Sequence, residues 1–445
     1  MDDDAPPVAV DGELHARPEP LSTTSEPDRD RLFRAYVGAI TLTGAAWRLL
    51  MLISKWNVPL AYGDAWYYSI QASNNAHGKW FKEASGPFQN WGVLPGAEHP
   101  PLTSIVLSPA SLLSHPQFWQ RATITLLGIM LIPLIARLGR GIGGRSVGVI
   151  AAAIAAVYPN IWLSDSLVMS ETLLLLLVVI VLLVAMRYRA RMDMRSAVVL
   201  GLVIGIAGHA RSELLLYAPL CALIGSRAQP LVLWAKRGAV VVVVTIVSVT
   251  PWIVYNTSRF NAFVLMSTNE GSTWLGANCP LTYSGPGMGG WNLECLDNGV
   301  LPRPGEDTSQ RSVRRRHEAV TYTLAHKLRV PLVVAARVLR SADLFGLNEN
   351  VRADLGEERP RWAIRTGIAS WWVLAPMAAL GVWRVRRGLR YVVLVPAIGV
   401  LAVTVAFYGS HRLRVPIEPI VVLGAASFVA SLQSVRRAVA RFTSE

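Results

Sequence analysis

Few residues in this chain are equipped for chemistry, and they stand far apart in a largely apolar sequence. The first is Asp64, within Tyr62-Gly63-Asp64-Ala65-Trp66-Tyr67-Tyr68. Its carboxylate can cap a helix beginning at Ala65, with Trp66, Tyr67 and Tyr68 in an interfacial aromatic belt. It can equally accept a proton from a bound hydroxyl, and both readings stay open. Glu98-His99-Pro100-Pro101-Leu102 reads as the start of a surface helix, because the first turn needs no amide donors. His99 has no second His, Cys or carboxylate at ligand spacing, so it does not read as a metal ligand; Glu98 is at most a weak one. Asp165-Ser166-Leu167-Val168-Met169-Ser170-Glu171-Thr172 places Glu171 at the head of Leu173–Val184, which holds no polar residue. A carboxylate at a membrane edge can snorkel or cap, but one that opens so uniform a run points to function.

Arginines supply the complementary chemistry. Arg211 lies in an apolar context with Glu213 two residues on, a spacing that does not face across a helix. An internal ion pair and a phosphate ligand are its two readings, since guanidinium geometry matches phosphate. His411-Arg412-Leu413-Arg414-Val415-Pro416 offers two more anion ligands, and Arg414 can also pair with Glu418 one turn later. Cys279 and Cys295 flank a Gly-rich stretch in a large polar loop, where an oxidising compartment favours a structural disulfide between them. Cys221 sits in an apolar run and reads as packing. Gly285-Pro286-Gly287-Met288-Gly289-Gly290 lacks the Lys and Ser/Thr of a phosphate-binding P-loop and reads as a turn.

The elements that must position these groups are membrane helices. Of 445 residues, 52% are hydrophobic and 16% charged, against about 25% charged in ordinary soluble domains. Apolar segments at 34–54, 118–137, 146–163, 168–186, 197–209, 213–226, 238–255, 363–383, 391–408 and 415–432 approach the roughly 20 residues of a spanning helix. An all-α polytopic membrane protein with about ten transmembrane helices is expected. Residues 1–33 read as a disordered cytoplasmic tail and 34–255 as an N-terminal module containing an outer loop, 55–117. Residues 256–362 form a large extracytoplasmic loop, 363–432 the C-terminal spans and 433–445 a second cytoplasmic tail. The run 101–113 is taken as a helix on the membrane surface, and 208–212 as a turn buried in the outer half of the bundle, tolerated if it lines a cavity.

The net charge of +14 is a topological signal and not a nucleic-acid one. With the N-terminus inside, the short inner loops and C-terminal tail hold sixteen Lys and Arg, and the short outer loops only Arg211, Arg412 and Arg414. Asp64, Glu98, Asp165 and Glu171 then all map to the outer edge. Arg outnumbers Lys 38 to 5, the bias of a GC-rich bacterial genome. A multi-pass bacterial cytoplasmic membrane protein with its site on the extracytoplasmic face follows.

The order of these motifs resembles the GT-C membrane glycosyltransferases. It runs from Gly63-Asp64-Ala65 through His99-Pro100-Pro101-Leu102, Ser170-Glu171, Gly208–Arg211 and Pro251–Asn256 to Arg412–Pro419. The likeness is greatest to the branch of the lipid A aminoarabinose transferase and protein O-mannosyltransferases, and it covers roughly residues 34–430. It implies a sugar donor linked to polyprenyl phosphate, and a glycan, lipid or protein acceptor on the outer face. It also implies Asp64 as the base and Glu171 as a second acid shaping the same site. Tyr67, His99, Arg211, Arg412 and Arg414 are the candidates for substrate contact. The second acid common beside the first in that family is Ala65 here, which argues against a tightly held ion, although a divalent metal stays open as a cofactor.

Chemistry is consistent with that implication. A glycosyl phosphate carries a good leaving group, so the enzyme must deprotonate an acceptor hydroxyl and stabilise developing phosphate charge. An isolated Asp, with a reference pKa near ~3.9, is a weak base, and a neighbouring Glu with partial burial is expected to raise it. The alternatives are a secondary transporter or lipid flippase, and a non-catalytic assembly protein of the same fold. A carrier places ionisable groups near the midplane and often shows inverted repeats, neither of which is read here. Thiol labelling of the unreduced protein should leave Cys279 and Cys295 unmodified; labelling of both refutes their pairing.

Overall fold

A computed structural model describes residues 26–84, 94–224, 230–297, 303 and 305–432. Within the described residues each of the ten apolar segments overlaps helix, three of them as a pair of shorter elements. Six are long and apolar enough to cross a membrane: Glu26–Ser54, Pro116–Gly143, Glu171–Arg191, Leu231–Thr257, Arg361–Arg384 and Arg387–Ala406. The others are shorter, at Arg145–Val157, Met194–Ala210, Ser212–Ala222 and Val415–Ser431. Among the described residues the chain is helical, with one isolated bridge between Lys82 and Pro95. It is a multi-pass, all-α membrane protein.

The first helix begins at Glu26, inside the segment expected to be an unstructured tail. Its acidic first turn suits the helix dipole, and Asp30 pairs with Arg140 at 3.0 Å and Arg145 at 2.5 Å. Residues 1–25 and the expected tail 433–445 lie outside the described residues. The surface run 101–113 resolves into a short helix, Leu102–Leu107, and a 3-10 turn, Pro109–Leu112. The chain at 208–212 breaks between Met194–Ala210 and the 3-10 turn Ser212–Leu216.

Helix packing follows small residues, as expected where lipid supplies no hydrophobic drive between helices. Ala151 and Ala155 of the Arg145–Val157 helix are fully buried in one cluster with Leu131 and Ile135 of the Pro116–Gly143 helix, and Ala152 in another with Ile132 and Ala136. Gly381 meets the last helix so closely that an added Cβ would fall 1.8 Å from the Gly424 carbonyl oxygen. Trp47 packs edge-on against Trp162 and Trp362, and those two are tilted to each other, with centroids 5.4 to 6.1 Å apart throughout.

One buried pair aims the chain toward the site. Arg48 of the first helix donates from Nε to Asp165 Oδ2 at 2.6 Å, and from its Nη atoms to the carbonyls of Ala155 and Ala156 at 3.2 Å. Thr172 donates to the other Asp165 oxygen at 2.8 Å. This fixes the 163–170 turn and therefore the direction in which Glu171 enters its helix. Gly128 leaves the space for it, because a Cβ there would fall 2.2 Å from the Asp165 carboxyl. Gly128→Ala should separate Asp165 from Arg48 and cost on the order of 3–5 kcal/mol, as broken buried pairs do. Thermal unfolding in detergent checks this, and an unchanged midpoint would refute it.

Candidate functional site

At one end of the bundle three acidic residues from distant parts of the chain share a single guanidinium. Asp64 opens the helix Asp64–Ala76 directly after Gly63, whose φ of +124° suits glycine alone. The preceding position makes no side-chain cap, and the Asp64 carboxylate instead points at Arg412 and His99. Glu171 is the first residue of its spanning helix and is 1% exposed. Glu357 follows the helix Leu347–Gly356 in the second large loop. Arg412, in the turn before the last helix, donates from Nη2 to Asp64, from Nε to Glu171 and from Nη1 to Glu357, the last at 2.6 Å.

Around this centre the remaining candidates divide. His99 Nε2 lies 3.2 Å from Asp64 Oδ1, and its ring packs edge-on to Tyr67 with centroids 4.9 Å apart. The Tyr67 hydroxyl accepts from the His99 amide at 3.4 Å. Arg211 donates to Glu213 at 2.8 Å and reaches Ser170, beside Glu171, at 3.4 Å. That pair forms despite its spacing because Arg211 is extended, with φ −150° and ψ 120°. Asp64, Tyr67, His99, Glu171 and Arg412 are thus brought together, with Arg211 at the margin. Arg414 is not among them. It donates to Glu418 at 2.9 Å, Asp343 at 2.8 Å and the Ser341 carbonyl at 2.7 Å, and lies over the Trp371 ring at 3.7 Å. Cys279 and Cys295 are disulfide-bonded with Cα atoms 6.1 Å apart, in the large loop.

Sequence reasoning missed Glu357, Arg359, Asp343 and Asp354, and passed over His411 within a motif it quoted. Arg359 pairs with Asp354, with Glu357 at 3.2 Å and with Glu171 at 3.8 Å. His411 bridges Asp343 at 3.0 Å and Asp354 at 2.6 Å. The ions form one network running from the site to the last helix. Its signal in the sequence was density alone: Asp343, Glu349, Asp354, Glu357, Glu358 and Arg359 crowd a short loop beside a span. Glu358 binds that loop to the segment after the first helix and to the Pro116–Gly143 helix, accepting from the Ala61 amide at 2.6 Å and from Arg121 at 2.7 Å.

The electrostatics reverse one expectation. Burial acts to raise the Asp64 carboxyl, but the charges of Arg412 and His99 outweigh it and hold Asp64 well below the usual carboxylate range. Glu357 goes the other way, because burial and the charges of Glu171 and Asp354 together exceed the pull of Arg412 and Arg359. One oxygen of Glu171, Oε2, is buried with no hydrogen-bond partner among the described residues, leaving an acceptor for a ligand hydroxyl. Asp64 Oδ2 and Glu171 Oε1 accept from Arg412, and among the described residues no group of three His, Cys, Asp or Glu is placed to hold a metal ion.

The sequence matches no protein-family profile and no curated protein. Its fold does match solved structures. The Archaeoglobus fulgidus oligosaccharyltransferase in the apo form superposes with a TM-score of 0.55 at 14% identity, over 92% of this chain and 52% of that one. Its complex with Zn and sulfate gives 0.52 at 15%, over 92% and 50%. ArnT from Cupriavidus metallidurans in the apo state gives 0.51 at 15%, over 88% and 61%. The chain thus shares the fold of these structures, and spans about half to three-fifths of their length. At such identities the likeness is one of fold.

The network makes a prediction about pH. Burial opposes charge on His411, but Asp354 and Asp343 outweigh it and push its pKa up to about 9, above the reference value near ~6.5. The stabilisation is therefore complete below pH ~6.5 and is lost as pH rises through about 9. Thermal stability should fall across that window by on the order of 3 kcal/mol, and His411→Gln should flatten the fall. The same slope in both proteins would refute the assignment.

Proposed function

We propose that the protein is a glycosyltransferase that moves a sugar from a polyprenyl-phosphate donor to an acceptor hydroxyl at the extracytoplasmic face of a bacterial cytoplasmic membrane. The observation that carries this reading is the convergence of Asp64, Glu171 and Glu357 on the Arg412 guanidinium at the heads of apolar helices. It pairs a carboxylate base with a cation for phosphate, within reach of lipid. The oligosaccharyltransferase and ArnT folds support the class.

In the reaction, Asp64 takes the acceptor's hydroxyl proton as the oxygen attacks the anomeric carbon. The bond from that carbon to the donor phosphate oxygen breaks, and polyprenyl phosphate leaves. Base and leaving group stand on opposite sides of the carbon, so the product is inverted. Arg412 receives the leaving phosphate, with Arg211 beside it. This resolves the weakness of Asp64 as a base. Each hydrogen bond that Arg412 transfers to phosphate is one withdrawn from Asp64, whose proton affinity then rises toward its ordinary range. Donor binding thus arms the base, and Glu171 and Glu357 hold the guanidinium in reach of both.

Turnover of lipid-linked sugars in membranes tests the reading. Asp64→Asn, at abundance matched to the wild type, should lower turnover by about 100-fold or more, within the range of general-base catalysis. Arg412→Lys should raise the donor KM at least tenfold (about 1.4 kcal/mol), and by more than it raises the acceptor KM. Equal turnover with and without Asp64 removes it from the chemistry. No turnover by either across a panel of donors favours a transporter.

A further inference from the structure

A polar cavity of about 230 Å³ lies beside Tyr67 and Glu98, between the first outer loop and the large one. Its walls include Tyr67, Glu83 and Glu98 from the first loop and Ser272, Thr308 and Arg315 from the second. None of the lining comes from a helix long enough to span, and apart from Gly96, Ala84 and Ala97 every lining side chain is polar. An acyl or prenyl chain has nothing to bind there. Two carboxylates, Glu83 and Glu98, are matched by two guanidiniums, Arg311 and Arg315, so the cavity has no excess charge to select an anion.

Three observations narrow the occupant further. The volume far exceeds the roughly 10–15 Å³ one water requires and falls below the roughly 300–1,000 Å³ of drug-sized pockets, which is the scale of a sugar ring. Arg315 Nε and Thr308 Oγ1 are buried with no hydrogen-bond partner among the described residues, although Arg315 Nη1 donates to Ser272 at 2.6 Å. Buried donors of that kind are costly unless something fills them. Tyr62, 74% exposed, stands at the lining as an aromatic surface for a ring face.

We infer that this cavity is the acceptor subsite, and that it binds a neutral sugar ring at the end of the acceptor. The inference rests on the transferase reading for the word acceptor, and on the cavity itself for the word sugar. Tyr67 joins the two places. It lines the cavity, sits one helical turn after Asp64, and contacts His99, which contacts Asp64. A sugar in the cavity therefore presents its reactive hydroxyl toward the base, while the donor's apolar tail stays among the spanning helices on the Arg412 side.

The test uses the full-length protein in lipid nanodiscs and a panel of octyl hexosides and pentosides of both anomeric configurations. Saturation-transfer NMR reads binding, and consumption of polyprenyl-phosphate sugars is read on the wild-type protein in parallel. At least one glycoside should receive saturation from the wild type. Ser272→Trp, which fills the cavity, should abolish that signal. Thr308→Val keeps size and leaves the Asp307 cap intact, and should weaken binding at least threefold, which guards against a folding defect in the larger variant. Binding by no glycoside, or equal binding by wild type and both variants, overturns the subsite even if donors are consumed. Glycoside binding that responds to both variants, with no donor consumed, upholds the sugar cavity and removes the transferase reading instead.

Discussion

The arrangement at the head of this bundle depends on one guanidinium. Arg412 holds Asp64, Glu171 and Glu357, which belong to the first loop, a spanning helix and the second loop. Three carboxylates brought that close repel one another, and Glu171 is almost wholly buried. Without a cation between them the two loops would separate from the helix ends. Arginine suits the role because its planar fork offers donors in several directions and stays charged when desolvated. Lysine, a single point of charge, could not satisfy three acids at fixed angles.

Behind Arg412 the same problem recurs. Asp343, Asp354, Arg359, Arg414 and Glu418 are all at most 4% exposed, and His411 joins two of them. Buried charge costs several kcal/mol per ion unless paired. Each member here has two or more partners, so the energetic requirement becomes a geometric one. The loop at 342–360 can occupy only the position that completes the network, and Glu358 locks its far side to Arg121. Such a network adds little stability beyond what an apolar core would give, but it fixes position, and position matters to a site assembled from loops.

The tight hold on Asp64 also shapes the chemistry we propose. A carboxylate left free at rest would be solvated by water and remain the weak base of an ordinary Asp. Here the carboxylate is occupied by a cation that the donor's phosphate can claim, so base strength is tied to substrate binding. The polar cavity beside Tyr67 and Glu98 fits the same logic, because it places a hydroxyl-bearing ring on the side of Asp64 away from Arg412. Donor and acceptor would then approach the base from opposite directions, one from lipid and one from the loops.

The sequence by itself determined the membrane class and the helices. Composition and the ten apolar segments are local properties, and a bilayer leaves helices as the local solution for satisfying backbone groups. It also singled out Asp64, Glu171 and Arg412, since a carboxylate at the head of an unbroken apolar run and paired arginines before a last span are visible without contacts. Tertiary structure decided the rest. Arg414 and Arg412 are two residues apart and alike in sequence, yet one is sealed in the network and the other faces Asp64. Glu357, Arg359 and Asp354 looked like an ordinary charged loop, because nothing local says that the loop folds inward. The expected rise in Asp64's proton affinity failed for the same reason. It counted the neighbouring acid and not the arginine, 348 residues away in the chain, that stands between them. Ionic partners are chosen by where helices end in space, and a sequence fixes that only through the whole fold.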